Sequence, residues 1–246
     1  MLEKQILNYF FDVTLTALAN DMSRGQQVNG HRILLQMLAK QYPDFCIASL
    51  AKSASLRNSY QNRPPIGLSL LWAFGQGGLN DFSVGLKAWQ DLFLPIIELK
   101  NYSKYVIQYL STLLDNHTSL ENTRISQDQL FAMFDLINNK KNNLSKELSS
   151  DLILQLSKYK DIFFIQSGNK LQVTFNQIMK KLPNQYLSGN SLDPYNRQAI
   201  ATLFDYIDSN WDIVSKNLKW KSLKMTVFST KKLVGKLSEA RKRMNI

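Results

Sequence analysis

Apolar residues recur at spacings of three and four along most of this chain, the period of one face of an α-helix. Leu2, Ile6, Phe10, Val13 and Ala17 define a stripe on a first helix over Leu2 to Asn20. Arg24 to Gly30 is a polar loop, Ile33 to Gln41 a second helix, and Pro43 suits the first turn of a third. Ser53 to Pro65 is polar and ends in Pro64-Pro65, which cannot continue a helix. A short apolar helix, Ile66 to Phe74, then meets Gly75-Gln76-Gly77-Gly78, where glycines suit left-handed C-cap positions. Asp81 caps a helix striped by Phe82, Leu86, Trp89 and Phe93, which Pro95 kinks or ends. Tyr102 to Leu114 follows, with Tyr102, Val106, Tyr109 and Leu113 on one face.

The same period continues beyond. Ser126 and Gln129 form a capping box ahead of Leu130, Phe134 and Ile137, and Asn138 to Asn143 is a polar loop. Leu148, Leu152 and Leu156 mark the next helix. Residues Ile162 to Phe175 fit two readings. One is a hairpin about Ser167-Gly168-Asn169; the other is a helix ending at Gly168 with a second over Lys170 to Lys181. The helices are preferred, because an isolated two-stranded hairpin is marginal. Asp193-Pro194 starts a helix carrying Ile200, Phe204, Ile207 and Trp211, and a last helix runs from Lys216 to Arg243.

These elements define an all-α class. No sequence repeat of fixed period is present, yet helices of similar length with short connections suggest antiparallel pairs. The expected architecture is an irregular HEAT/ARM-like α-solenoid or superhelix, in a single helical domain over residues 1–246. With only 10 Gly and 6 Pro, the chain lacks the turn punctuation of a β-sandwich, which supports helices.

Little in the chain is equipped for chemistry. His31 and His117 are the only two histidines and lie far apart, and Cys46 sits between Phe45 and Ile47 as a small buried hydrophobe. One cysteine forms no intrachain disulfide, which points to a reducing compartment. Gly75-Gln76-Gly77-Gly78 invites a phosphate-loop reading but fails on context. A dinucleotide loop needs a third glycine where Asn80 stands, and a Walker loop needs Lys and Ser or Thr where Leu79-Asn80 stand. A non-enzymatic protein with no metal, no cofactor and no small-molecule substrate is therefore expected, one that works by binding.

No apolar run reaches the roughly 18 residues needed to span a bilayer. The best candidate, Leu92 to Leu99, is short and holds Pro95 and Glu98, and Glu3, Lys4 and Asp12 interrupt any signal peptide. Sequons at Asn101, Asn116 and Asn143 are expected by chance in a chain rich in Asn and Ser.

The formal net charge is +11, and most of it belongs to one end. From Lys216 to Ile246 there are ten Lys or Arg residues against Glu239 alone. On the helix expected over residues 216–246, Trp220, Leu223, Val227, Val234 and Leu237 share one side. Lys221, Lys224, Lys231, Lys232, Lys236, Lys242 and Arg243 cluster on the other, with Met225 and Phe228 among them. Two readings fit: a solvated face, or a surface for an anionic partner. Such a partner would be a membrane surface or, as the alternative, RNA or a ribosome.

The most distinctive stretch runs from Leu56 to Leu114, within residues 55–120. It holds Leu71-Trp72-Ala73-Phe74-Gly75-Gln76-Gly77-Gly78, then Asp81-Phe82-Ser83-Val84-Gly85-Leu86-Lys87-Ala88-Trp89, then Leu94-Pro95. This order resembles the signature of the transmembrane protein 214 family. Trp72, Gly75, Gln76, Asp81, Ser83, Gly85, Leu86, Trp89 and Pro95 carry the likeness, and their residue types read as packing rather than as an active site. Gly85 in a helix interior costs about 1 kcal/mol relative to Ala, which marks a close helix approach. The resemblance implies an endoplasmic-reticulum membrane protein with a helical region on the cytosolic side and C-terminal membrane segments. It also implies a role in apoptosis under endoplasmic-reticulum stress, through a protein partner, procaspase 4. The chain departs from the family in lacking membrane segments and a long N-terminal region, which is the expectation for a fragment or a truncated homologue.

Overall fold

Among the described residues of a computed structural model, which are 2–117, 125 and 144–166, every regular element is helical. The chain divides into two compact units, residues 1–125 with 140–162 and residues 126–139 with 163–246, and the first is described here. The capping box at Ser126, the Asp193-Pro194 start, the helix holding Trp211 and the basic helix over 216–246 lie outside the described residues.

Two long helices, α1 (Leu2–Ser23) and α2 (Asn29–Gln41), form an antiparallel hairpin. Gly25, at φ 73°, turns the chain between them. Asp21 meets His31 (2.8 Å) at the turn, and Lys4 meets Asp44 (2.9 Å) at the far end. The side that α1 buries is not the stripe expected from spacing. Phe11, Leu15, Leu18 and Ala19 are buried, whereas Ile6, Phe10 and Val13 are exposed. This helix is apolar on two sides, so periodicity alone does not choose between them.

A single turn, α3 (Phe45–Ala48), leads into α4 (Leu50–Tyr60). Thus the polar stretch from Ser53 is largely helical, with Ser53 and Arg57 on its buried side. Pro64-Pro65 then acts as a start, occupying the first positions of α5 (Pro64–Gly75), where a missing N–H costs nothing. Eight residues of α5 are buried, and the helix touches α1, α2, α3, α4 and α6. A helix apolar nearly all round belongs at the centre of a fold.

After α5 the chain makes a 3₁₀ turn (Gln76–Leu79), then α6 (Phe82–Ala88), a π-helical turn (Trp89–Phe93) and a second 3₁₀ turn (Leu94–Ile96). Helix α7 (Ser103–Asn116) follows, and α8 (Lys146–Gln166) meets it through Lys158 and Asp115 (2.7 Å). Of the ambiguous stretch 162–175, residues 162–166 are helical and the remainder lies outside the described residues.

Candidate functional site

The signature residues converge on one structure, the turn from Gly75 to Gly78 with the helix behind it. The chain stays right-handed there, with Gly75 at φ −79°, so these glycines are not left-handed caps as expected. Close approach explains them instead. A Cβ on Gly75 would overlap the Tyr109 ring, and one on Gly77 would overlap the Pro43 carbonyl. Gly78 and Gly85 face each other, and a Cβ on either would lie 2.7 Å from the other's Cα. Only backbones bare of side chains pack at that distance.

The turn's carbonyls are taken from outside it. Tyr109 Oη donates to the Gly75 carbonyl (2.9 Å), and His117 Nε2 lies 2.7 Å from the Gly78 carbonyl. Gln76 Nε2 donates to the Trp72 carbonyl (3.1 Å). Burial pushes the Tyr109 phenol above its ordinary range, so it stays a donor at neutral pH. Gln76, Gly77 and Gly78 are themselves buried, so the turn is not an open cradle for a phosphate.

Asp81 caps α6 as expected. Its Oδ1 accepts from Ser83 N (2.8 Å), Ser83 Oγ (2.6 Å) and Val84 N (3.2 Å). Partial burial pushes the Asp81 carboxyl up, but these hydrogen bonds and the His117 charge outweigh it and hold the carboxyl below its ordinary 3.8. Leu86 on α6 and Trp89 at the start of the π turn are fully buried, and Trp89 Nε1 donates to the Val106 carbonyl (3.0 Å). Burying a side chain of that size is worth about 3–5 kcal/mol against alanine. Trp72 is only partly buried, and Ser83 and Pro95 are exposed.

Pro95 has no N–H to offer the Asp91 carbonyl four residues back, and its ring crowds it. The helix responds with the π turn, in which Leu94 N donates to the Trp89 carbonyl. Arg57, buried on α4, reaches across to carbonyls of this turn. Its Nη1 donates to Leu92 O (2.7 Å) and, more weakly, to Asp91 O (3.4 Å). Burial lowers the Arg57 pKa from its ordinary value. Phe93, within the π turn, stacks on Tyr109 with ring centroids 4.5 Å apart.

Gly75, Gln76, Gly85, Leu86 and Trp89 are buried in this assembly, Asp81 and Ser83 form its cap, and Trp72 and Pro95 lie toward its surface. Arg57, Tyr109 and His117 complete it and were not singled out from sequence. Cys46 lies beneath the turn, its thiol 3.7 Å from the Ala73 carbonyl and pushed by burial up to about 12. Among the described residues no three His, Cys, Asp or Glu side chains gather where a metal could be held, and no helix is long and apolar enough to cross a membrane. Lys221, Lys224, Lys231, Lys232, Lys236, Lys242 and Arg243 lie outside the described residues.

The fold and the turn together define an all-α unit organised around internal glycine contacts. Residues 1–193 match a family model described as "TMEM214, C-terminal, caspase 4 activator". The chain belongs to the transmembrane protein 214 family. It is 26% identical to human transmembrane protein 214, over 92% of this chain and 37% of the relative. It is 31% identical to the bovine protein over 59% of this chain and 22% of that one. Against transmembrane protein 214-B of Xenopus laevis it is 38% identical, over 41% and 15%. The chain thus spans little more than a third of the human relative's length. No solved structure matches it.

Proposed function

We propose that this chain is a non-enzymatic helical scaffold at the cytosolic face of the endoplasmic reticulum, and that it recruits procaspase 4. Family membership carries the reading, since the matching family model is described as a caspase 4 activator over residues 1–193. The signature supports it chemically, because its polar groups are spent on capping α6 and on contacts within the fold. We also infer that the helices pack as an irregular superhelix of antiparallel pairs. The α1–α2 hairpin supports this, and the irregularity is α5, which touches more than its chain neighbours. Microsomes from cells that make the full-length protein are expected to retain procaspase 4, and microsomes from cells lacking it are not. Equal retention in both would contradict recruitment.

The concentration of charge between Lys216 and Ile246 favours a second element of the same reading, an anionic membrane surface held by the basic helix. The chain should then bind anionic vesicles in a salt-sensitive way and lose most of that binding when Lys231, Lys232 and Lys236 are reversed to Glu. Equal binding to neutral vesicles would contradict it. A steep salt dependence with high affinity for RNA would instead favour the alternative, an RNA- or ribosome-binding module.

A further inference from the structure

We propose that the end of the first unit where α1 stops and α2 and α5 begin docks on the phosphate headgroups of an anionic bilayer, through Arg24, Arg32 and Arg63. The inference rests on the membrane reading above, and adds to the basic helix a second surface on the folded unit.

Hydrogen bonds bring the three arginines to this end. Arg24 N donates to the Asn20 carbonyl (3.2 Å) and Arg63 N to the Tyr60 carbonyl (2.9 Å). Tyr60 Oη in turn donates to Asn20 Oδ1 (2.9 Å), so the turn after α1 and the turn before α5 share a contact. Arg32, in the first turn of α2, donates through Nη2 to Ser69 Oγ on α5 (2.9 Å). At the edge, Tyr102 Oη donates to the Gln61 carbonyl (2.7 Å), which brings in the turn that holds Glu98 and Lys100.

All three arginines are exposed, and none is ion-paired among the described residues. Lys4, Lys52, Lys87 and Lys158, by contrast, each meet an aspartate. The stretches 22–32 and 58–63 hold no acid, and Asp21 beside them is held by His31. Glu98 offsets Lys100, so the arginines carry the charge of this end. The other unpaired cations lie elsewhere: Lys40 at the far end of α2, and Lys104 and Lys146 near Glu147.

The chemistry selects a bilayer. Guanidinium groups offer paired N–H donors to phosphate oxygens, and three on separate turns suit a field of headgroups. Ile33 beside Arg32 and Leu99 beside Lys100 are 59% and 41% exposed, free to enter the headgroup boundary. A single strand of RNA calls for exposed rings on which bases stack, whereas Tyr60 is held by Asn20 and Tyr102 is buried.

Co-sedimentation of the full 246-residue chain with phosphatidylcholine vesicles holding about 30% phosphatidylserine tests this. Arg24→Glu, Arg63→Glu should bind at least about tenfold more weakly than the native chain. Lys40→Glu, Lys146→Glu, with the same change in net charge, should stay within about twofold. Circular dichroism establishes that each variant is folded, and Arg24→Glu, Lys100→Glu replaces the first if it is not. A dye on Gln27→Cys should be shielded from iodide by the vesicles and a dye on Gln41→Cys should not, Cys46 being buried and so unlabelled. Equal loss in the two charge variants, or equal access to both dyes, overturns docking at this end and leaves the basic helix as a membrane contact. Weakened RNA or protein binding with vesicle binding unchanged overturns it too. A native chain that binds no anionic vesicle overturns it together with the membrane reading.

Discussion

A Cβ on Gly85 would lie 2.5 Å from Leu113 Cδ1 and 2.7 Å from the Gly78 Cα, and the second of these obstacles is backbone. A flexible neighbour can swing away; a helix backbone cannot. Gly85→Ala is therefore expected to destabilise the fold by about 1–3 kcal/mol, the usual range for overpacking, despite alanine's better helix propensity. Gly30, in the first turn of α2, is the control, since nothing lies within 4 Å of its Cβ position. Gly30→Ala should raise stability by up to about 1 kcal/mol. Urea unfolding of both variants checks the pair, and equal effects would refute close approach as the reason for Gly85. The need for Gly85 was legible in the sequence, because a glycine inside a helix has a cost that something must offset. Its partners were not, because Tyr109 and Leu113 arrive from a helix more than twenty residues away. Arg57 was still less legible. A buried arginine in a polar stretch carries no mark that sets it apart from a solvated one, and its partners, the Leu92 and Asp91 carbonyls, belong to another element.

At the scale of elements, α6 depends on its cap. The turn before it is held from above by Tyr109 and His117, and its first N–H groups are held by Asp81. The Asp81 carboxyl titrates below its ordinary value in the folded state. A depressed carboxyl contributes stability that is fully present above the unfolded value. That contribution is lost as pH falls through the folded value. Stability should thus decline on acidification below about pH 5, and Asp81→Asn should flatten that decline while keeping a capping side chain. Unfolding midpoints measured from about pH 7 to about pH 3 check it, and an unchanged slope in Asp81→Asn would contradict the assignment. The Asp81 cap was legible, since Asp ahead of an apolar stripe is a local signal. So was the effect of Pro95. The handedness of the glycine turn was not: a run of glycines suits left-handed caps and close packing equally, and only the neighbours decide. Likewise the two apolar sides of α1 are equivalent in sequence, and the core alone selects Phe11 and Leu15 over Phe10 and Val13.

For the whole molecule, the all-α class followed from period and from the scarcity of turn residues, while the arrangement of the helices did not. Antiparallel neighbours were legible from short connections, as in α1 and α2. The central place of α5 was not, because burial on every side leaves no stripe from which to read a direction. The family was legible from the order Trp72, Gly75-Gln76, Asp81, Gly85 and Trp89, which is also the order in which the chain builds its most closely packed turn. That correspondence fits a signature made of packing residues. The central claim is recruitment, and titration of the purified chain with purified procaspase 4 tests it most directly. The account predicts saturable binding at micromolar or tighter affinity, about −8 kcal/mol or better. No binding by the folded chain up to roughly 100 μM would contradict it.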